Sequence, residues 1–284
     1  MPRRRRRGRF PCYPLAVHLV ATVLQPKSLD AAISALVAAA GMTPAEARMR
    51  LAPEPPALLA RLPPERAESL VQALAGSGLV ALGLEEAVPT DADRFQVRSF
   101  AFEPDGLHVT ARSGATLTVS WEAVRVVLRG VRANRTTTEH TETSRRFALG
   151  RAVLTGGLVM TKKATSTVQD TQDASEQLVL VHGDDGQRVL LGEQALEFSG
   201  LGPLLQPARA ANMAVIAQEL KRRAPGAFHD DRLMRLGRRA LPFVLGGEHA
   251  VSAGGSEVRR SDTRGSVDVL AEVLDRAVRA GLLR

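Results

Sequence analysis

Six histidines, one cysteine and thirty carboxylates are the raw material for acid–base, nucleophilic or metal chemistry in this chain. Their spacing decides which of these is open. His229-Asp230-Asp231 sets two carboxylates beside an imidazole, the donor types of a metal or phosphate site. No second histidine or carboxylate cluster follows at useful spacing, so the acids read instead as the complement of a helix dipole at the start of a helix over residues 232–239. His18, His108, His140 and His182 stand singly along the chain. The lone Cys12 excludes an intrachain disulfide and a cysteine zinc site. No base is patterned beside it to activate the thiol. Gly150 to Gly157 lacks the Gly-Lys-Ser/Thr ending of a phosphate loop, and Gly156-Gly157 read as a bulge or bend. No catalytic residue, metal ligand or cofactor is predicted.

Cations are patterned more strongly. Arg3, Arg4, Arg5, Arg6, Arg7 and Arg9 form an anion-binding candidate, because guanidinium stays charged and grips phosphate through paired hydrogen bonds. They account for six of the formal net charge of +8, which leaves +2 for the rest. A nearly neutral body is not built to hold a polyanion over a wide surface. The arm itself has salt-sensitive attraction to nucleic acid or anionic lipid. Phe10 and Tyr13 are too few for a base-stacking surface. A second basic patch combines Lys221, Arg222, Arg223, Arg235, Arg238 and Arg239, with Arg232 between them and Asp230 and Asp231 opposing it.

Leu245-Gly246-Gly247-Glu248-His249-Ala250 resembles the Gly-Gly-Asp/Glu-His segment of the arginase and agmatinase family, in which that histidine binds manganese. A dinuclear site needs several carboxylates and histidines converging on two ions. The Asp-Ala-His-x-Asp and Asp-x-Asp segments that the resemblance requires downstream are missing. The segment reads as a Gly-rich flexible loop.

The elements behind these residues follow from capping and periodicity. Residues 1–12 read as a disordered basic arm, and residues 15–20 as a strand. The arm and the apolar run Pro14–Leu24 imitate a signal peptide, but His18 interrupts the run and no A-x-A cleavage site follows. No stretch approaches the roughly 18 to 20 apolar residues of a membrane span. The expected compartment is cytoplasmic. Ser28 caps a helix carrying Leu29, Ile33, Leu36 and Val37, and Gly41 ends it. Thr43-Pro44-Ala45-Glu46 is a capping box with proline in the first turn. Pro63-Pro64-Glu65 opens a third helix, and Leu79–Leu84 closes the segment as a strand. The predicted order is β-α-α-α-β.

Residues 15–84 of this segment resemble the C-terminal domain of the bacterial ribosomal stalk protein. The run Gly41-Met42-Thr43-Pro44-Ala45-Glu46-Ala47-Arg48 is similar to that family's Gly-Leu-x-x-x-Glu-Ala-Lys helix start. Pro55, Leu58, Ala67, Glu68, Leu70, Ala73, Leu74 and Gly78 fall where the family has the same residue types. The resemblance implies helices covering a small antiparallel sheet. It also implies that the face on which the family recruits translation factors with cations carries Leu29, Ser34, Val37 and Ala45 in this chain. Neutral residues there remove electrostatic recruitment. The expected partner is therefore a different protein.

After an acidic linker over 86–93 the texture changes to period two. Residues 95–102, 107–111, 116–119 and 124–131 read as strands, with Glu103-Pro104-Asp105-Gly106 as a turn. Residues 133–145 and 161–176 read as polar loops around an apolar stretch over 148–160. Asp184-Asp185-Gly186 marks a hairpin. A helix over 208–223 carries Met213, Ile216, Ala217 and Leu220 on one face. Strands closed by one amphipathic helix resemble the pleckstrin-homology-like barrel, which implies an anionic-membrane function.

The chain is thus expected to be α+β: an α/β domain over 13–85, a β-rich domain over 94–225, a short basic helix over 226–242, a flexible loop over 243–265 and a C-terminal helix over 266–284. The leading functional expectation is a non-enzymatic adaptor with an unknown protein partner. The alternatives are nucleic-acid or ribosome association through the arginine arm, and anionic-membrane binding by the β-rich domain.

Overall fold

The computed structural model describes residues 17–146, 162–244, 248–253 and 256–284. The chain is α+β and divides into two compact units, Met1–Val88 and Pro89–Arg284.

In the first unit the order is β1 (His18–Thr22), α1 (Leu29–Ala40), α2 (Pro44–Leu51), β2 (Ala57–Leu62), α3 (Pro64–Gly76) and β3 (Ala81–Glu85). Local chemistry sets the helix ends. Ser28 accepts a hydrogen bond from the Ala31 amide, and Gly41 takes φ 71°, a left-handed cap that costs glycine nothing. Thr43 and Glu46 close a reciprocal capping box. The strand β2 is absent from the expected β-α-α-α-β order. Its short Ala-Leu-Leu-Ala run lacks alternation because it is buried throughout. The sheet is antiparallel in the order β2-β1-β3. Ile33, Leu36, Leu51, Leu70 and Leu74 from the three helices meet Val20 and Leu59 in its core.

The second unit begins with β4 (Phe95–Phe102), β5 (Gly106–Ala111), β6 (Thr116–Ser120), β7 (Val124–Arg146), β8 (Lys162–Gly183) and β9 (Arg188–Gly192). It continues with α4 (Arg209–Arg223), β10 (Phe228–Asp230), the one-turn α5 (Leu233–Leu236), β11 (Glu248–Ala253), β12 (Ser256–Asp262) and α6 (Arg264–Arg279). The sheet order is β11-β12-β7-β8-β9-β4-β5-β6, with β10 parallel to β7. The sheet is open, so the expected barrel does not close among the described residues. One side of β7 near its start pairs with β10, and among the described residues β6 pairs only with β5.

Four loop or helix expectations are overturned. The polar stretches expected as loops are strand over 133–145 and 162–176: β7 and β8 pair in continuous antiparallel register from Val126↔His182 to Arg146↔Lys162. Their Thr-rich sequence favours extended backbone but has no apolar alternation to announce it. The segment 243–265 contains the hairpin β11–β12, and β12 pairs with β7 from Asn134 to His140. The region 226–242 is a short strand and a one-turn helix instead of a basic helix. Phe228 packs into the apolar core, which holds β10 extended beside β7. The apolar stretch over 148–160 and the arm over 1–12 lie outside the described residues.

Helices cover both faces of the central strands, so apolar residues alternate onto both faces of β7, β8 and β9. Val127, Val179, Val181, Val189 and Leu191 pack with Met213, Ile216 and Leu220 of α4. The alternate residues Val126, Leu128, Leu178, Leu180 and Leu190 pack with Leu233, Leu236, Val267, Leu270 and Leu274. Thr263 pins the start of α6 to the sheet. Its amide donates to Ala133 O at 3.0 Å, and its hydroxyl accepts from the Ala133 amide at 2.9 Å.

Candidate functional site

Among the described residues, a dense collection of buried ionisable groups lies beneath α6. Asp268, Glu272 and Asp275 follow one another at i, i+4 and i+7, which places them on one stripe of the helix beside its apolar row. Each meets a basic side chain from a different part of the sheet. Arg94, just before β4, donates from Nη1 to Asp268 Oδ1 at 2.5 Å. Arg132 on β7 also reaches Asp268, at 3.2 Å, and grips Asp91 with both terminal nitrogens at 2.7 and 2.6 Å. Arg188 on β9 donates to Glu272 at 3.1 Å, and Arg276 on α6 holds the other oxygen at 2.8 Å. His182 on β8 places Nδ1 3.2 Å from Asp275 Oδ1, and Arg279 donates to Asp275 Oδ2 at 2.9 Å.

The electrostatics differ along the stripe. Burial pushes the Asp268 carboxyl up, and the two guanidiniums do not fully offset it, so its pKa lies above the ordinary value. For Asp275, burial also works upward. His182 and Arg279 outweigh it and hold the carboxyl below its ordinary value. Asp91 is likewise held low, because the Arg132 fork outweighs burial.

An imidazole beside a carboxylate is half of an acid–base device. Here both side chains are sealed, 2% and 1% exposed, and the angle between His182 Nδ1 and Asp275 Oδ1 falls outside hydrogen-bond geometry. Neither group reaches a cleft where a substrate could present a proton. The cluster ties α6 to four strands or strand ends. Among the described residues, no group of three or more His, Cys, Asp or Glu is placed to hold a metal ion.

The residues singled out from sequence are dispersed. Lys221, Arg222 and Arg223 form the last turn of α4, where cations complement the helix dipole. Arg222 and Arg223 both bind Glu219, and Arg223 also stacks over Phe102 and Trp121 at 5.1 and 5.7 Å. Arg235 belongs to α5, and Arg238 and Arg239 follow it, all three exposed. His229 donates from Nε2 to Ala224 O at 2.9 Å. Asp230 accepts from the Arg232 amide at 2.8 Å and its Nη2 at 2.6 Å. Glu248 and His249 lie on β11, opposite Ser261 and Arg260. The arginines 3, 4, 5, 6, 7 and 9, Cys12, Phe10, Tyr13 and the glycines 150–157 fall outside the described residues.

In the first unit, α1 and α2 leave apolar side chains uncovered. Met49 is 67% exposed and Leu29 49%, with Leu24 at 41% just before α1. Ser34 and Ala45 are exposed and Val37 is half-buried. Met49 was missed in the sequence reading because it sits between Arg48 and Arg50, off the apolar stripe that carries Ala47 and Leu51.

Comparison of the chain with protein-family models, with curated proteins and with solved structures returned no match.

Proposed function

We propose that the protein is a non-enzymatic adaptor that docks a protein partner on the α1/α2 face of its first unit. The observation that carries this reading is the exposure of Met49 and Leu29 on two helices whose other large aliphatic side chains, Ile33, Leu36 and Leu51, are buried and Val37 half-buried. A resident of aqueous solution gains from covering such side chains, at about 25 cal/mol per Å² of apolar surface removed from water. The face carries Leu29, Ser34, Val37 and Ala45 where the ribosomal stalk resemblance has recruiting cations, so the partner surface is expected to be apolar, not acidic. The use of Asp268, Glu272, Asp275 and His182 to fasten α6 supports the same reading, since these ionisable groups are spent on the fold.

The test is affinity capture with the wild-type chain and with the double variant Leu29→Lys/Met49→Lys. A partner enriched by the wild type and lost with the folded variant supports the adaptor function. No reproducible enrichment, or equal enrichment by both, rejects it.

A further inference from the structure

The buried and half-buried arginines of the second unit obey a rule with one exception. Arg94, Arg125, Arg132, Arg188, Arg223, Arg232 and Arg276 each pair with a carboxylate. Arg129 on β7 is the exception among the described residues. Its Nη2 donates to the neutral Gln177 Oε1 at 2.9 Å, and its Nε, like that of Arg94, Arg125, Arg132 and Arg188, is buried without a hydrogen-bond partner. A half-buried guanidinium with no carboxylate at ion-pair distance has its desolvation poorly offset.

Arg129 lines a cavity of about 310 Å³ between α4 and the β7/β10 edge. Val127, Ala214 and Ala217 form an apolar wall. Lys221 from the last turn of α4 lines the same cavity and has no ion-pair partner among the described residues. His229 also faces it, with its Nε2 engaged by Ala224 O. Gln218, Asp230 and Asp231 complete the lining; Asp230 is paired with Arg232, and Asp231 is exposed. The cavity therefore offers a planar fork and a point charge, both cationic, against an apolar surface. That combination suits one oxyanion head carrying a small apolar body.

We propose that this cavity binds a small organic oxyanion, a carboxylate or a phosphate ester, with Arg129 donating to the head and Lys221 adding charge. The site lies in a different unit from the α1/α2 face and does not depend on the adaptor reading.

Calorimetric titration of the full chain with benzoate, phenyl phosphate and inorganic phosphate tests it. Saturable binding of at least one organic anion is expected, tighter than for inorganic phosphate. Benzoate against phenyl phosphate identifies the head group. Arg129→Gln and Lys221→Gln are each expected to weaken binding about ten- to a hundredfold, the range for losing a charge-assisted hydrogen bond. Lys221 is exposed, so its replacement keeps the test valid should Arg129→Gln fail to fold. Absence of saturable binding by the wild type, or binding retained by either folded variant, overturns the proposal.

Discussion

His182 on β8 and Asp275 on α6 meet at 3.2 Å in a place that solvent does not reach. The pair lies at one end of a stripe that continues through Glu272 with Arg188 to Asp268 with Arg94. The helix is thus held by an apolar row and, alongside it, a charged row whose partners come from four separate segments. Removing one member of a buried pair strands the other, which is worth more than the net attraction of the pair.

Asp275→Asn is expected to lower the unfolding free energy at neutral pH by about 1–3 kcal/mol, because it removes the buried charged acceptor of Arg279 that the fold holds ionised. Asp268→Asn is expected to cost clearly less, because the fold already disfavours the charged form of that carboxyl. Urea denaturation of both variants checks the ranking.

The pH dependence follows from the same shifts. Asp91 and Asp275 have depressed folded values, so their contribution is fully present above the ordinary carboxylate value of about 4. It is lost as pH falls through the lower folded values. Asp268 has the opposite sign: its protonation favours the fold, fully below about 4, and that advantage is gone once pH rises through its raised folded value. Stability is therefore expected to fall in strong acid, and less steeply for Asp275→Asn than for the wild type. Denaturant midpoints from neutral to strongly acidic pH decide it.

Gly237 closes α5 against β7. A Cβ at this position would collide with the backbone oxygens of Val131 and Leu233, neither of which is a movable side chain. Thr263 also donates its hydroxyl to Gly237 O at 2.5 Å. Gly237→Ala is expected to destabilise the second unit by about 1–3 kcal/mol, the cost of overpacking a tight contact. Thermal unfolding measures it.

The six N-terminal arginines carry a prediction of their own. Deletion of residues 1–9 is expected to remove most of the salt dependence of any binding to RNA, since each phosphate neutralised contributes a slope of roughly −0.7 in log K against log salt. Filter binding over a salt series measures it. An unchanged slope removes the nucleic-acid alternative.

Local signals were legible in the sequence. The Ser28 cap and the Thr43–Glu46 box depend on residues three apart, and the Asp184-Asp185-Gly186 turn on three neighbours. The polar halves of β7 and β8 were not, because strand pairing with no apolar face leaves no periodicity to read. β10 was hidden for a related reason: three residues are too few to show a period. The carboxylate stripe on α6 can be seen in the sequence as Asp268, Glu272 and Asp275, yet Arg94 stands 174 residues from Asp268. Nothing local names such a partner. The exception at Arg129 is likewise invisible until every other arginine has been paired in three dimensions.

The adaptor account is tested most directly by a photo-crosslinking amino acid placed at Met49, with Arg66 on α3 as an exposed control position. The expected result is a discrete covalent adduct with one partner protein from position 49 and none from position 66, abolished by Leu29→Lys. No adduct from position 49, or the same adducts from both positions, would contradict it.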